Sequence, residues 1–263
     1  MNRFFKSTPL ERELLRLKTQ ERRYMEKRKT EKQSRLTALL EDKVPDKLQE
    51  TLDSAFGAAF SLIFQKGTGI IEKTYDKEKL TEESRDDHSR ILRLQDRRSL
   101  RNVTGKAGGS GVKNMLLSGA AGIGMGVVGA GIPDIPLFTA MILKSIYEIA
   151  LQYGFSYDTE EEKYFILLLI RGAMADYDSF LEIDKEVDTF IETELLPKYY
   201  SREGQIRSTA AELSKEMLYM KFLQGTMIVG AIGGVYDVIY MKRITEYAEL
   251  KYRRRFYNKM VSQ

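Results

Sequence analysis

Apolar residues recur at helical spacing along most of the chain. Their period is close to 3.6 residues from Leu48 to Phe64 and again from Ile135 to Tyr153, which predicts two amphipathic helices. In the block YFILLLI at 164–170 nearly every position is apolar, which predicts a helix buried on all sides. The alternation of apolar and polar residues that marks a strand is scarce. The pattern therefore predicts an all-α fold built as a single multi-helix domain.

Residues typical of helix ends bracket these patterns. Thr8 and Glu11 have the spacing of a capping box, which predicts a helix that starts just after Thr8. Thr159 and Glu162 have the same spacing and predict a second capping box before the apolar block. Gly154 follows the second amphipathic run, so we expect it to take the left-handed conformation that ends a helix.

The first part of the chain differs in composition from the rest. We divide the sequence into a basic, charged N-terminal helix at 1–45 and an all-helical domain at 46–263. From Lys18 to Arg35 the apolar face nearly vanishes, which predicts a helix surrounded by solvent. A nucleic-acid arm and a contact with phospholipid headgroups are the alternatives. The first residues are charged and contain no apolar run, so no secretory signal is expected.

Two glycine-rich segments are the most unusual feature of the sequence. The first, from Asn114 to Pro133, carries no charge over 20 residues, and the second runs from Phe222 to Tyr236. Their glycines fall at helical spacing and predict bare stripes where another backbone approaches closely: Gly119, Gly122, Gly126, Gly129, Gly230, Gly233 and Gly234. Glycine-rich, closely packed helices in a soluble core are one interpretation. Segments that contact or enter a membrane are the other.

The residue types leave few kinds of chemistry open. The chain has no Cys and one His, so thiol catalysis, disulfides and thiolate metal sites are excluded, and we predict no cofactor and no metal. His88 lies in a polar stretch and is expected on the surface. Gly124, Gly126 and Gly129 match G-x-G-x-x-G, but no strand precedes them, so a dinucleotide site is not expected.

Two acids, Asp134 and Glu148, are the catalytic candidates. Asp134 comes just before a helix whose second residue is Pro136, so the alternative role is to cap the amide of Leu137. Glu148 lies on the polar flank of the same helix, where a solvated or ion-paired carboxylate is the alternative. No set of converging catalytic groups is visible in the sequence.

Basic residues near the C-terminus are candidates for binding anionic headgroups. They are Lys242, Arg243, Arg253, Arg254 and Arg255. The basic residues at both ends of the chain are interleaved with glutamates and few aromatic residues, so we expect no nucleic acid as a partner.

The ordered blocks of the sequence resemble those of the EcsC protein family. The similar blocks are DSAFGAAFSLIFQKGTGIIEKTY at 53–75, DIPLFTAMILKSIYEIALQYGF at 134–155, EEKYFILLLI at 161–170 and IVGAIGGVYD at 228–237. The resemblance covers the chain from about Leu48 to Tyr257. It implies a bacterial protein associated with an ABC-type exporter operon, in a family with no established reaction.

The resemblance and the basic, glycine-rich segments lead to one functional expectation. We expect a non-enzymatic accessory or scaffold factor, cytoplasmic and peripheral at the inner face of the cell membrane. Its partner would be the membrane surface or a membrane protein such as a transporter subunit, and homo-oligomers are possible. The alternative is a soluble hydrolase-type enzyme that uses acidic residues near Asp134.

Overall fold

The computed structural model describes residues 7–32, 46–66, 69–106, 135–223 and 235–262, and within these ranges it contains helices and no strand. The all-α prediction is therefore confirmed. The helices in chain order are α1 (Pro9–Lys32), α2 (Asp46–Lys66), α3 (Gly69–Glu72), α4 (Lys77–Leu94), α5 (Ile135–Gln152), α6 (Glu160–Met174), α7 (Tyr177–Thr193), α8 (Arg202–Leu223) and α9 (Val235–Val261). Residues 97–106 are also helical.

Helix α6 is the centre of the bundle, as its apolar sequence predicts. Every side chain from Tyr164 to Ile170 is buried, and the helix packs against α7, α8 and α9. Because other helices surround α6, the side chains on all of its faces are buried. Apolar residues at every position of this run are therefore favourable, and a polar side chain would be costly. The prediction of a central helix at 164–170 is confirmed.

Helix α5 packs against α2, α4 and α9 and ends as the sequence predicts. Gly154 has a φ of 78°, its N–H donates to the carbonyl of Leu151, and the N–H of Phe155 donates to that of Ala150. These two bonds form a Schellman motif, which satisfies carbonyls at the helix end. His88 packs against Gly154 and is half-buried, so the prediction of a surface histidine was only partly correct.

One helix in the described ranges, α5, is long and apolar enough to cross a bilayer by length and composition alone. Its apolar window is 61% buried against other helices of the protein. The core helices of soluble proteins meet the same criterion, so this match is weak evidence for a membrane span.

Contacts between helices define two ends of the bundle, which we name after the ends of α6. Helix α8 runs parallel to α6, since Arg202 pairs with Glu160 and Lys215 with Asp176. Helix α9 runs antiparallel to α6, since Arg255 pairs with Glu162 while Tyr247 lies beside Gly172. Helix α5 packs along α9 and runs parallel to it, since Tyr153 at its end packs against Phe256. The end of α8, the start of α9 and the start of α5 therefore lie at the Met174 end. The ends of α5, α7 and α9 and the start of α8 lie at the Glu160 end.

Helix α1 packs antiparallel to α9 and also contacts α7. Its inner face buries Leu17, Glu21, Tyr24 and Arg28. The ring of Tyr24 stacks on that of Tyr247 with 5.4 Å between centroids. The prediction of a helix surrounded by solvent was therefore wrong for this face, where Glu21 pairs with Arg254 and Arg28 donates to the carbonyl oxygen of Ala175. The predicted boundary at residue 45 lies outside the described residues and stays a prediction.

The two predicted capping boxes have different outcomes. At the start of α1, Thr8 N donates to Oε2 of Glu11 at 2.8 Å and Glu11 N donates to Oγ1 of Thr8 at 3.2 Å, so this box is confirmed. At the start of α6, Glu162 N donates to Oγ1 of Thr159 at 3.2 Å. The carboxylate of Glu162 binds Tyr252 and Arg255 on α9 instead of completing the box. The second prediction was half correct.

Candidate functional site

A network of phenols and charged groups joins the turn after α3 to the loop before α6. The hydroxyl of Tyr75 donates to that of Tyr157 at 2.6 Å, and Tyr157 donates to Oε1 of Glu72 at 2.7 Å. Nζ of Lys77 lies 3.0 Å from Oε1 of Glu72 and 3.2 Å from Oδ2 of Asp158. The residues from Glu72 to Glu78 line an open surface groove beside this network.

Burial and hydrogen bonding fix the protonation states in this network. Burial raises the pKa of Tyr157, and its bonds with Tyr75 and Glu72 raise it further, so the phenol stays neutral and donates. Burial disfavours the charged form of Lys77, but the hydrogen bonds to Glu72 and Asp158 outweigh it and raise the pKa of Lys77. The network therefore combines neutral phenols with an ammonium–carboxylate cluster. In this state it is suited to holding the turn in place.

The predicted candidate Glu148 lies close to this network. Nζ of Lys144 is 4.0 Å from Oε1 of Glu148 and donates a hydrogen bond of 3.1 Å to the carbonyl oxygen of Thr74. Burial raises the pKa of Glu148, and the ammonium group of Lys144 opposes that rise. The structure thus places Glu148 in a weak ion pair, which matches the structural alternative considered for it. A raised carboxyl pKa is also a common property of catalytic acids.

The other predicted acid and all of the predicted glycines lie outside the described residues. This holds for Asp134 and for both glycine-rich segments, whose central residues fall at 107–134 and 224–234. Helix α5 begins at Ile135, directly after Asp134. Among the residues that the structure describes, no group of three or more acidic or histidine side chains is arranged to hold a metal ion.

The predicted headgroup-binding residue Arg255 is buried inside the bundle. Its NH1 donates to Oε2 of Glu162 at 2.6 Å, and its Nε donates to Oε1 of Glu194 at 2.7 Å. Its guanidinium carbon lies 4.1 Å from the ring centroid of Phe155. Burial disfavours the charged form of Arg255, but Glu162, Tyr252 and Glu194 together outweigh it and raise the pKa of Arg255. A role for Arg255 in headgroup binding is not supported, because its charge is neutralised inside the protein.

The neighbouring predicted cations are also paired within the protein. Arg253 pairs with Glu249 and donates to Gln20, while Arg254 binds Glu21 and Asp188, each at 2.6 Å. These two arginines hold α9 against α1 and α7, which does not support the predicted headgroup role.

The last two predicted cations lie on the first half of α9. Arg243 donates to Glu216 on α8 at 2.5 Å and is largely covered. Lys242 is the most exposed of the five, at 64%, and lies 3.8 Å from Glu246. A headgroup role for Lys242 stays a prediction.

Helix α1 sorts its charges by sign, which the sequence analysis did not identify. The acids Glu13 and Glu21 point inward, where Glu13 binds Arg97 at 2.6 Å and Arg101 at 3.3 Å. Between residues 9 and 30 the exposed acids are Glu11 and Glu26. The exposed bases on the same stretch are Arg12, Arg16, Lys18, Arg22, Arg23, Lys27 and Lys29. The outer face of α1 is therefore strongly basic, although the sequence interleaves the two signs.

Comparison with known proteins supports the resemblance noted in the sequence. The geometry defines an all-helical protein whose charged groups mostly tie its helices together. The model of the EcsC protein family matches residues 10–256, so the chain belongs to that family. The match includes α1 as well as the later helices. A search of curated proteins finds no match, and a search of solved structures finds none either.

Proposed function

We propose that the protein is a non-enzymatic accessory or scaffold factor that associates with the cytoplasmic face of a membrane and serves ABC-type export. The match to the EcsC family shows membership of that family alone, and the link to ABC-type export is what the resemblance to the family implies. The observation that carries it is the charge sorting on α1, which presents exposed bases outward while Glu13 and Glu21 are paired inside. Each cation near an anionic bilayer contributes about 1 kcal/mol of attraction.

Vesicle co-sedimentation tests the electrostatic part of this proposal. We expect the protein to sediment with vesicles that contain phosphatidylglycerol, and less with pure phosphatidylcholine, and we expect added salt to weaken the binding. The variant Arg22→Glu with Arg23→Glu should bind anionic vesicles at least about tenfold more weakly.

The matched control reverses two exposed charges on other helices. Lys185→Glu on α7 with Arg207→Glu on α8 changes the net charge by the same amount and should bind more tightly than the α1 variant. Equal loss in both variants would show that net charge, and not the face of α1, governs the binding. Equal recovery of the wild type with neutral and anionic vesicles would remove the electrostatic part altogether.

The glycine-rich segments are proposed to pack against each other. Helices α5 and α9, which follow the two segments, both start at the Met174 end of the bundle, and α8 also ends there. The chain has no native Cys, so Gly122→Cys with Gly230→Cys forms a clean test pair for oxidative cross-linking. We expect a disulfide in this pair. The control pair Gly204→Cys with Gly230→Cys should stay reduced, because Gly204 lies at the Glu160 end, and cross-linking in both pairs would count against the proposal.

A second candidate function is hydrolysis, and the raised pKa of Glu148 is the observation that favours it. Any hydrolytic activity of the wild type towards ester or phosphoester substrates should then fall at least about a hundredfold in Glu148→Gln. Asp134→Asn provides the parallel test for the other acid. Unchanged activity in both variants, or none in the wild type, would exclude this candidate.

A further inference from the structure

The exposed apolar side chains of the protein are concentrated at one end. Within the described ranges, eight large apolar side chains are exposed. Five of them lie at the Glu160 end of the bundle, on the last turn of α4, the loop after α7 and the last turn of α9. These five, which we call the apolar end, are 47% to 88% exposed: Leu92, Leu94, Leu195, Tyr199 and Val261. Exposed apolar groups that gather in one place mark an interaction surface more often than scattered ones do.

Contacts among the three segments bring the apolar end together. Nζ of Lys259, in the last turn of α9, lies 3.0 Å from Oε1 of Glu194, which directly precedes Leu195. Leu92 near the end of α4 and Met260 near the end of α9 line the same small cavity. The last turn of α4, the loop after α7 and the last turn of α9 are thus neighbours in space.

Basic side chains accompany each part of the apolar end. Arg93 lies between Leu92 and Leu94, and Lys198 precedes Tyr199. Lys259 lies two residues before Val261 and shares its charge with Glu194; all three bases are exposed. Arg90 and Arg98 add exposed positive charge beside α4. Exposed acids also lie at this end: Glu11, Glu82, Asp86, Glu161, Glu192, Glu203 and Asp158, which is paired with Lys77.

We propose that the apolar end docks on an anionic lipid bilayer, with its leucines, valine and Tyr199 at the boundary between headgroups and acyl chains. The bases beside them would meet the lipid phosphates. Exposed aliphatic groups, an aromatic ring with a polar edge and adjacent cations are the composition that favours this interface over water. This inference rests on the proposed membrane association and specifies which end of the bundle faces the lipid. The start of α1, with the exposed Arg12 and Arg16, lies at the same end because α1 runs antiparallel to α9.

Single tryptophan reporters test the orientation, because the chain contains no Trp. Tyr199→Trp places the probe at the apolar end, and Ile239→Trp places a matched probe on an exposed site near the Met174 end. With vesicles of phosphatidylcholine and phosphatidylglycerol we expect the emission of Trp at position 199 to shift to shorter wavelength. Brominated acyl chains should quench it. Position 239 should show neither change, and equal responses at the two positions would overturn the proposal.

A binding experiment separates this inference from the proposed function. Leu195→Ser with Tyr199→Ser should lower vesicle partitioning about tenfold or more, because two apolar groups no longer enter the interface. The control Leu62→Ser removes an exposed leucine from the side of α2 and should bind as the wild type does. If the double variant binds vesicles as well as the wild type does, the docking surface is overturned and the proposed membrane association is not. A wild type that binds no vesicles overturns the proposed membrane association as well.

Discussion

The guanidinium group of Arg255 donates a hydrogen bond of 2.6 Å to the carboxylate of Glu162, and the two side chains are 7% and 4% exposed. Removing one partner of a buried pair leaves a charge without compensation. We therefore expect Arg255→Met to lower the free energy of unfolding by about 3 to 5 kcal/mol in urea titrations. Lys242→Met, at an exposed cation of the same helix, should cost less than about 1 kcal/mol.

The pH dependence of this loss distinguishes an uncompensated charge from lost packing. Burial raises the pKa of Glu162 above its ordinary value of 4.5, and Arg255 opposes that rise. A carboxyl group whose folded pKa is raised binds its proton more tightly in the folded state. Protonation therefore stabilises the folded state as the pH falls through the folded pKa towards 4.5. The deficit of Arg255→Met relative to the wild type should shrink over that window, and a constant deficit would indicate packing alone.

Gly154 occupies a position that other residues enter only with strain. Its φ is 78°, and a Cβ atom there would lie 2.7 Å from Cε1 of His88 and 3.4 Å from Oγ of Ser84. We expect Gly154→Ala to destabilise the protein by about 1 to 3 kcal/mol in thermal or urea unfolding. Gly57→Ala is the control, because nothing lies within 4 Å of its Cβ position and it sits inside α2. That change should stabilise the fold slightly, and a similar loss at both sites would contradict the argument.

Tyr157→Phe removes the central hydroxyl of the network beside α3. Tyr75 loses the acceptor that lies at 2.6 Å, and Glu72 loses a donor at 2.7 Å while it keeps Lys77. We expect the free energy of unfolding to fall by about 1 to 3 kcal/mol, because partly buried polar groups lose partners. The control Tyr199→Phe, at an exposed position, should change the free energy of unfolding by less than about 0.5 kcal/mol. Equal effects of the two variants would show that the network contributes nothing to stability.

Local features of the fold could be predicted from the sequence because short-range physics determines them. The apolar block at 164–170 can be buried only in the centre of a bundle, and Gly154 ends α5 because glycine accepts a positive φ at little cost. The capping box of Thr8 and Glu11 is equally local. In each case the partners lie within a few residues of one another.

The features that the sequence analysis missed depend on partners far along the chain. Glu162 has the spacing of a capping residue, but its carboxylate instead accepts a hydrogen bond from Arg255, which lies 93 positions further along the chain. The inner face of α1 includes Glu21 and Arg28, so a search for apolar periodicity does not detect it. Arg253, Arg254 and Arg255 are consecutive and look like one basic patch in the sequence. On a helix they point in three directions, and each meets an acid from a different place.

Helix α1 should be held to the bundle mainly by Tyr24. Its ring stacks on Tyr247 at 5.4 Å and lies 5.9 Å from Phe180, while the guanidinium group of Arg28 donates to the carbonyl oxygen of Ala175 nearby. Replacing a buried aromatic residue by alanine costs about 3 to 5 kcal/mol, which exceeds what exposed ion pairs along α1 contribute.

We therefore expect Tyr24→Ala to release α1 while the remaining helices stay folded. Hydrogen exchange should show faster exchange across α1 and unchanged protection of α6. Thr19→Ala, which removes a half-buried hydroxyl that bonds only to its own helix, should leave both rates unchanged. If protection of α6 is lost together with that of α1, the N-terminal helix and the rest of the chain unfold as one cooperative unit. That outcome would count against the division of the chain at residue 45.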